Sequence, residues 1–147
     1  MGLMERYQRK SIEAAQRALG DDVRVTDYAV ATAGPHPLVV MGGIVVVVLA
    51  VLALTGLLVG GIAIILVGNA INKPRALVRT DRGFTLFKRS AFAGKPTDVL
   101  AKFDADALAA GVGTPQAGFV PVQLGDERVW VRAKDHARLA AGPGFAR

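Results

Sequence analysis

This chain of 147 residues is 52% hydrophobic and carries a net charge of +6, so it has room for one small folded domain beside a long apolar run. It contains no cysteine, which excludes disulfides, thiol nucleophiles and thiolate metal sites. The positive excess lies wholly after the apolar run, because the five Lys/Arg before residue 38 are matched by five Asp/Glu.

The N-terminal segment, residues 1–37, is expected to hold a short helix and an extended stretch. Residues 4–19 predict the helix, which ends at Gly20, a residue suited to the position after a helix. Residues 21–33 alternate in part between apolar and polar side chains and are predicted to be extended. Residues 34–37 (GPHP) form a breaker cluster that leads into the apolar run.

The apolar run from Leu38 to Val67 contains no charged residue, which predicts a membrane-embedded segment over residues 38–71. As one straight helix it would extend roughly 45 Å, against a hydrocarbon core of about 30 Å. A helical hairpin that turns near Thr55 and Gly56 fits better, and a single long tilted helix is the alternative. No apolar core followed by a cleavage site lies near the start, so the segment is expected to be retained.

Glycines in the second half of this run are candidates for helix packing. Gly56 and Gly60 form a GxxxG pattern and Gly61 follows directly, and small residues let helix backbones approach closely. They would form either a docking face for a partner helix or the contact between the two arms of one hairpin.

Basic residues follow the run closely, which by the positive-inside rule places the C-terminal part in the cytoplasm and the protein in the plasma (inner) membrane. They would bind anionic lipid headgroups, at roughly 1 kcal/mol each near the surface, or serve only orientation and solubility. The set comprises Lys73, Arg75, Arg79, Arg82, Lys88, Arg89 and Lys95.

Residues 75–141 predict a small antiparallel β domain with a C-terminal helix, so the fold class is an α+β membrane protein with one or two transmembrane helices. A β-hairpin turns at residues 81–83 and a closing helix covers residues 134–141, before a tail over residues 142–147. Pro121 marks its strand as a sheet edge. About five short strands are expected, over residues 76–80, 84–88, 98–103, 119–124 and 128–133.

The stretch ALVRTDRGFTLFKRS, followed by GKPTDVLAKFD, resembles small actinobacterial membrane proteins of unknown function. These have a transmembrane hairpin and a cytoplasmic β domain similar to pleckstrin-homology-like (PH-like) modules. The TDRG turn, the GKPT loop and the strand-then-helix ending carry the resemblance, over roughly residues 38–141. It implies paired helices, a scaffold or binding role and no catalysis.

No pattern of catalytic, cofactor-binding or metal-ligating residues emerges from the sequence. His36 and His136 each lack a second ligand at helical spacing and are interpreted as solvated. Asp104 and Asp106 are interpreted as helix caps. Lys95 lacks the upstream glycine of a phosphate-binding loop. The basic residues are not interleaved with aromatic ones, so nucleic acid is not expected as a partner. No small-molecule substrate is evident from the sequence either.

Two functional hypotheses follow. The first is a non-catalytic accessory or interaction protein whose helices dock on a larger membrane complex and whose β domain covers the cytoplasmic face of that complex. An actinobacterial respiratory-chain assembly is one conceivable host, although no residue selects it. The second is a stand-alone adaptor whose basic β domain binds anionic membrane lipids.

Overall fold

The computed structural model describes residues 2–55, 62, 71–90 and 94–142. These residues form an α+β fold, as predicted. The helices are α1 (Leu3–Leu19), α2 (Pro37–Thr55), α3 (Ala107–Ala110) and α4 (Ala133–Ala141). The strands are β1 (Val25–Ala33), β2 (Lys73–Thr80), β3 (Gly83–Arg89), β4 (Pro96–Phe103), β5 (Phe119–Leu124) and β6 (Glu127–Arg132).

The strands form one open antiparallel sheet in the order β4-β3-β2-β1-β6-β5. The sheet begins earlier in the chain than the domain predicted at residues 75–141, because β1 comes from the N-terminal segment and lies near the middle. Successive side chains of β1 point to opposite faces of the sheet, and both faces are buried. Ala29, Ala31 and Ala33 point to one face, and Tyr28 packs on the other. A strand buried on both faces shows little polar alternation, which is why the sequence indicated only an extended segment there.

The pairing of β1 with β2 brings together the two ends of the apolar segment. Ala33, the last residue of β1, lies opposite Lys73, the first residue of β2. Directly opposed residues of antiparallel strands have Cα atoms about 4.5–5.5 Å apart. The chain therefore leaves the sheet and returns to it at neighbouring points. We call this end of the sheet, defined by Ala33 and Lys73, the junction end.

Each face of the sheet carries its own hydrophobic cluster. On one face α3 and α4 contribute Leu108 and Leu139 to a cluster built on side chains from at least five strands, including Leu77 and Val131. On the opposite face α1 packs through Ala15 and its neighbours against β1, β2 and β3. Helices on both faces bury the central strands β1 and β2 from either side, which accounts for much of the stability of so small a domain.

The β-hairpin predicted after the apolar segment is confirmed, with β2 and β3 paired from Arg75–Lys88 to Thr80–Gly83. Gly83 has φ +134°, and a Cβ atom there would lie 2.2 Å from the carbonyl oxygen of Phe103. The position therefore requires glycine. The prediction that Pro121 lies on an edge strand is also confirmed, because β5 ends the sheet.

Helix α2 is long and apolar enough to cross a membrane. At 19 residues it extends about 28 Å, close to the thickness of a bilayer core. Only Val40 among its residues is buried, whereas Val46 and Leu54 are 67% and 84% exposed. Apart from Ile62 and Ile71, the predicted second arm lies outside the described residues, as does the turn residue Gly56.

Candidate membrane-facing surface

The chain makes a close contact with itself at the junction end. Gly34 has φ +125°, and a Cβ atom there would lie 2.6 Å from the backbone oxygen of Ile71. The indole nitrogen of Trp130 donates a hydrogen bond of 3.0 Å to the carbonyl oxygen of Gly34. These contacts fasten the start of the apolar segment to its end and to β6.

His36 fixes the beginning of α2. Its Nδ1 accepts a hydrogen bond from the backbone N–H of Leu38 at 3.1 Å, so the ring caps the helix. Nε2 then carries the proton and donates to the carbonyl oxygen of Gln116 at 3.0 Å. The ring also makes edge contacts with Trp130 and Phe119, at centroid distances of 4.6 and 5.6 Å. The sequence interpretation of His36 as a solvated histidine missed these contacts, because its partners lie about 80 and 94 residues away along the chain.

An ion pair ties β2 to β6 at the same end. Arg75 Nη2 and Nε donate to Glu127 at 2.9 and 3.2 Å, and the Arg75 side chain is only 10% exposed. Because β1 lies between β2 and β6, this pair connects two strands that do not pair directly. Arg75 is therefore occupied within the fold rather than presented to a ligand.

The structure divides the seven basic residues predicted either to bind lipid headgroups or to serve orientation and solubility. Lys88 and Lys95 are exposed near the junction end, since Lys88 lies opposite Arg75 and Lys95 precedes β4. Lys73 is exposed at the junction itself, and Arg89, half-buried on β3, follows Lys88 at the same end of the sheet. Four of the seven thus gather around the two ends of the apolar segment.

Arg79 and Arg82 lie toward the opposite end of the sheet, where Thr80 and Gly83 close the β2–β3 turn. Arg79 donates to the carbonyl oxygen of Leu139 and lies 5.6 Å from the ring centroid of Phe84. Proximity in sequence to the apolar segment therefore did not translate into proximity in space. The helix-packing candidates Gly56, Gly60 and Gly61 lie outside the described residues, so that prediction stays open.

A cleft that the sequence did not reveal lies between the N-terminal half of α1, β1 and the start of α4. Its volume is about 690 Å³. The basic residues on its wall are Arg89, Arg132, Lys134 and Arg138, and its apolar lining includes Met4, Tyr7, Tyr28 and Val30. Sequence reasoning missed it because residues from both ends of the chain build it. The only local signal was the spacing of Arg132 and Lys134 where β6 meets α4.

Burial shifts the pKa values of Tyr28 and His136 in the sheet domain. Desolvation raises the pKa of Tyr28, with a further contribution from the neighbouring Tyr7. Desolvation also lowers the pKa of His136, and a hydrogen bond with the backbone of Leu108 partly offsets it. Over the described ranges, no three His, Asp or Glu side chains come close enough to hold a metal ion. Asp106 occupies the position before α3, as predicted for a cap, but its side chain makes no capping hydrogen bond.

No family model, curated protein or solved structure matches this chain. The resemblance to small actinobacterial membrane proteins with a PH-like domain therefore stays a prediction. What the chain does has to be argued from its own geometry.

Proposed function

We propose that this chain is a membrane-anchored interaction protein whose apolar segment enters and leaves the bilayer on one side. The sheet domain would then be held against that surface by both ends of the anchor. The absence of catalysis remains the expectation stated from the sequence.

The pairing of Ala33 with Lys73 carries this proposal. Opposed strand residues lie about 5 Å apart, whereas the two faces of a bilayer core are separated by about 30 Å. A single crossing would put Ala33 and Lys73 on opposite faces and leave β1 without its β2 neighbour. Since α2 alone extends close to one membrane thickness, residues 56–72 are left to bring the chain back. The pairing thus favours the hairpin over the single tilted helix.

Charge supports contact between the sheet domain and anionic lipid. Lys73, Lys88 and Lys95 are exposed around the junction end, where the apolar segment begins and ends. Polybasic clusters beside a membrane anchor are attracted to the negative cytoplasmic leaflet. The positive-inside rule then places the domain in the cytoplasm.

Because the chain contains no cysteine, single introduced cysteines can be labelled to test on which side of the membrane each part lies. Single cysteines introduced as Glu13→Cys on α1 and Asp126→Cys in the β5–β6 turn occupy exposed positions on the two sides of the apolar segment in sequence. In intact cells, we expect neither to react with a membrane-impermeant maleimide, and both to react after permeabilisation. Thr55→Cys, at the far end of α2, should react from outside.

Opposite labelling of positions 13 and 126 would refute the hairpin. Recovery of the wild-type chain in the soluble fraction without detergent would refute the anchor itself. No labelling at position 55 from the outer side would contradict a complete crossing. The unmodified cysteine-free protein serves as the background control in each experiment.

A second candidate function is an accessory subunit of a larger membrane complex. The observation that favours it is the edge of the sheet at β4, which pairs only with β3 among the described residues and where Val99 and Leu100 are 40% and 45% exposed. Unpaired edges with apolar side chains accept a strand from another protein. Helix α2 is likewise apolar all round and almost wholly exposed.

Native gel electrophoresis in mild detergent separates the two candidates. A subunit should migrate with a large complex and lose that association after Val99→Lys, which places a charge on the β4 edge. The matched control is Lys102→Gln, which changes an exposed residue near the other end of β4. Migration as a small species, together with salt-sensitive binding to anionic vesicles, would favour the lipid-bound adaptor.

A further inference from the structure

The cleft beside α1 has an excess of positive charge that the fold leaves unpaired. Arg138 is satisfied internally, because it donates to Asp27 at 2.8 Å, to Asp135 at 2.9 Å and to the carbonyl oxygen of Tyr28 at 2.7 Å. No comparable ion pair involves Arg89, Arg132 or Lys134 among the described residues. The two carboxylates near the cleft are thus already engaged.

Arg89 provides the most specific indication of a ligand. Its Nε atom is buried, yet it has no hydrogen-bond partner in the part of the chain that the structure describes. A buried guanidinium nitrogen without an acceptor costs free energy, and an anion that enters the cleft would remove that cost. Arg132 and Lys134 are exposed and free to approach the same anion from the other side.

Besides Gln8 and the already paired Asp135, the rest of the lining is aromatic or aliphatic. Tyr7 donates a hydrogen bond of 2.6 Å to the carbonyl oxygen of Gly94, which holds its ring against the cleft. Tyr28 is 3% exposed and Val30 is only partly buried beside it, so the cleft has a ring and an aliphatic surface as its floor. A volume of about 690 Å³ lies within the usual range for small-molecule sites.

We propose that this cleft binds a small amphiphilic phosphate monoester. The phosphate would lie among Arg89, Arg132 and Lys134, and the apolar part would lie against Tyr28 and Val30. Three cations match an anion that carries more than one negative charge, as a phosphate monoester does near neutral pH. Two sources offer this chemistry: a membrane lipid with a monoester headgroup, such as phosphatidic acid, and a soluble aryl phosphate.

Two binding measurements on the full chain in nanodiscs distinguish these sources. In the first, phenyl phosphate is titrated calorimetrically into the chain in phosphatidylcholine nanodiscs, with phenol and inorganic phosphate as comparisons. In the second, native mass spectrometry counts phosphatidic acid retained by the chain after release from nanodiscs that contain it. Binding in the first measurement identifies a soluble ligand, and binding in the second alone identifies a lipid.

A pair of double variants with equal charge change tests the location. The variant Arg132→Gln with Lys134→Gln removes two cations of the cleft. We expect its affinity for the probe that the wild-type chain binds to fall about tenfold or more. Arg128→Gln with Lys102→Gln removes an exposed arginine and lysine elsewhere, and affinity should stay within about twofold, since distant exposed charges are screened. All four positions are exposed, and urea unfolding of both variants verifies the fold.

The proposal is overturned if the wild-type chain binds neither probe. It is also overturned if both double variants lose affinity equally, because binding would then reflect net charge alone. Retention of full affinity by the Arg132/Lys134 variant would likewise place the site elsewhere. If inorganic phosphate bound as tightly as phenyl phosphate, the proposed contact of the ligand with the apolar residues of the cleft would be refuted.

Discussion

Replacing Glu127 by glutamine would remove the charge from the ion pair that joins β2 to β6 while keeping the shape of the side chain. Arg75 is 10% exposed and donates three hydrogen bonds to the two carboxylate oxygens, at 2.9 to 3.2 Å. Removing one partner of a fully buried pair costs about 3–5 kcal/mol. Because the Glu127 side chain is 31% exposed, water would partly compensate, and we expect the free energy of unfolding to fall by about 2 kcal/mol.

Urea unfolding in mild detergent, followed by Trp130 fluorescence, measures this loss. The control is Asp126→Asn, which neutralises the adjacent exposed carboxylate and should change stability by less than about 0.5 kcal/mol. The combined variant Arg75→Met with Glu127→Leu removes both charges and should cost less than Glu127→Gln alone, since no buried charge is left unpaired. A Glu127→Gln protein as stable as the Asp126→Asn control would refute the role given to this ion pair.

Two further predictions concern the end of the sheet opposite the junction end, and helix α4. Gly83→Ala should lower the free energy of unfolding by about 2–3 kcal/mol, because φ is positive at this position and the new Cβ would clash with Phe103. Gly118→Ala has open space around its Cβ and should cost only about 1 kcal/mol. Equal losses of stability in thermal unfolding of the two variants would contradict the clash. His136, with its pKa below the ordinary 6.5 in the folded state, binds a proton more readily when unfolded, so stability should fall as pH drops through about 6.5. In urea unfolding between pH 5 and 8, His136→Gln should reduce the dependence of the free energy of unfolding on pH. An unchanged pH dependence would mean that other groups cause it.

Local patterns predicted the second half of the fold well. The β2–β3 hairpin follows from apolar alternation around a glycine at a turn, and Pro121 marked an edge strand because it has no N–H for a second neighbour. The closing helix was predicted at 134–141 and is observed as Ala133–Ala141, just before Gly142. Each of these features depends on residues within a few positions of one another.

Features that depend on distant pairs were not predicted. Nothing in the residues around Ala33 indicates that Lys73 lies opposite, so the place of β1 in the sheet could not be read from the sequence. For the same reason, sequence proximity grouped Arg79 with Lys73, although the register of β2 carries Arg79 toward the other end. The cleft was hidden too, because Tyr7, Arg89 and Lys134 meet only after α1 packs on the completed sheet.

The position of β1 also sets an order of events during biogenesis. Both strands that flank β1 are synthesised after the apolar segment, so β1 leaves the ribosome with neither neighbour available. Its backbone groups stay unpaired until residues 73–80 emerge, and until then α1 has no finished surface to cover. The sheet therefore closes only after the apolar segment has been synthesised and its two ends have met, so under the proposed anchoring a folded sheet would report completed insertion.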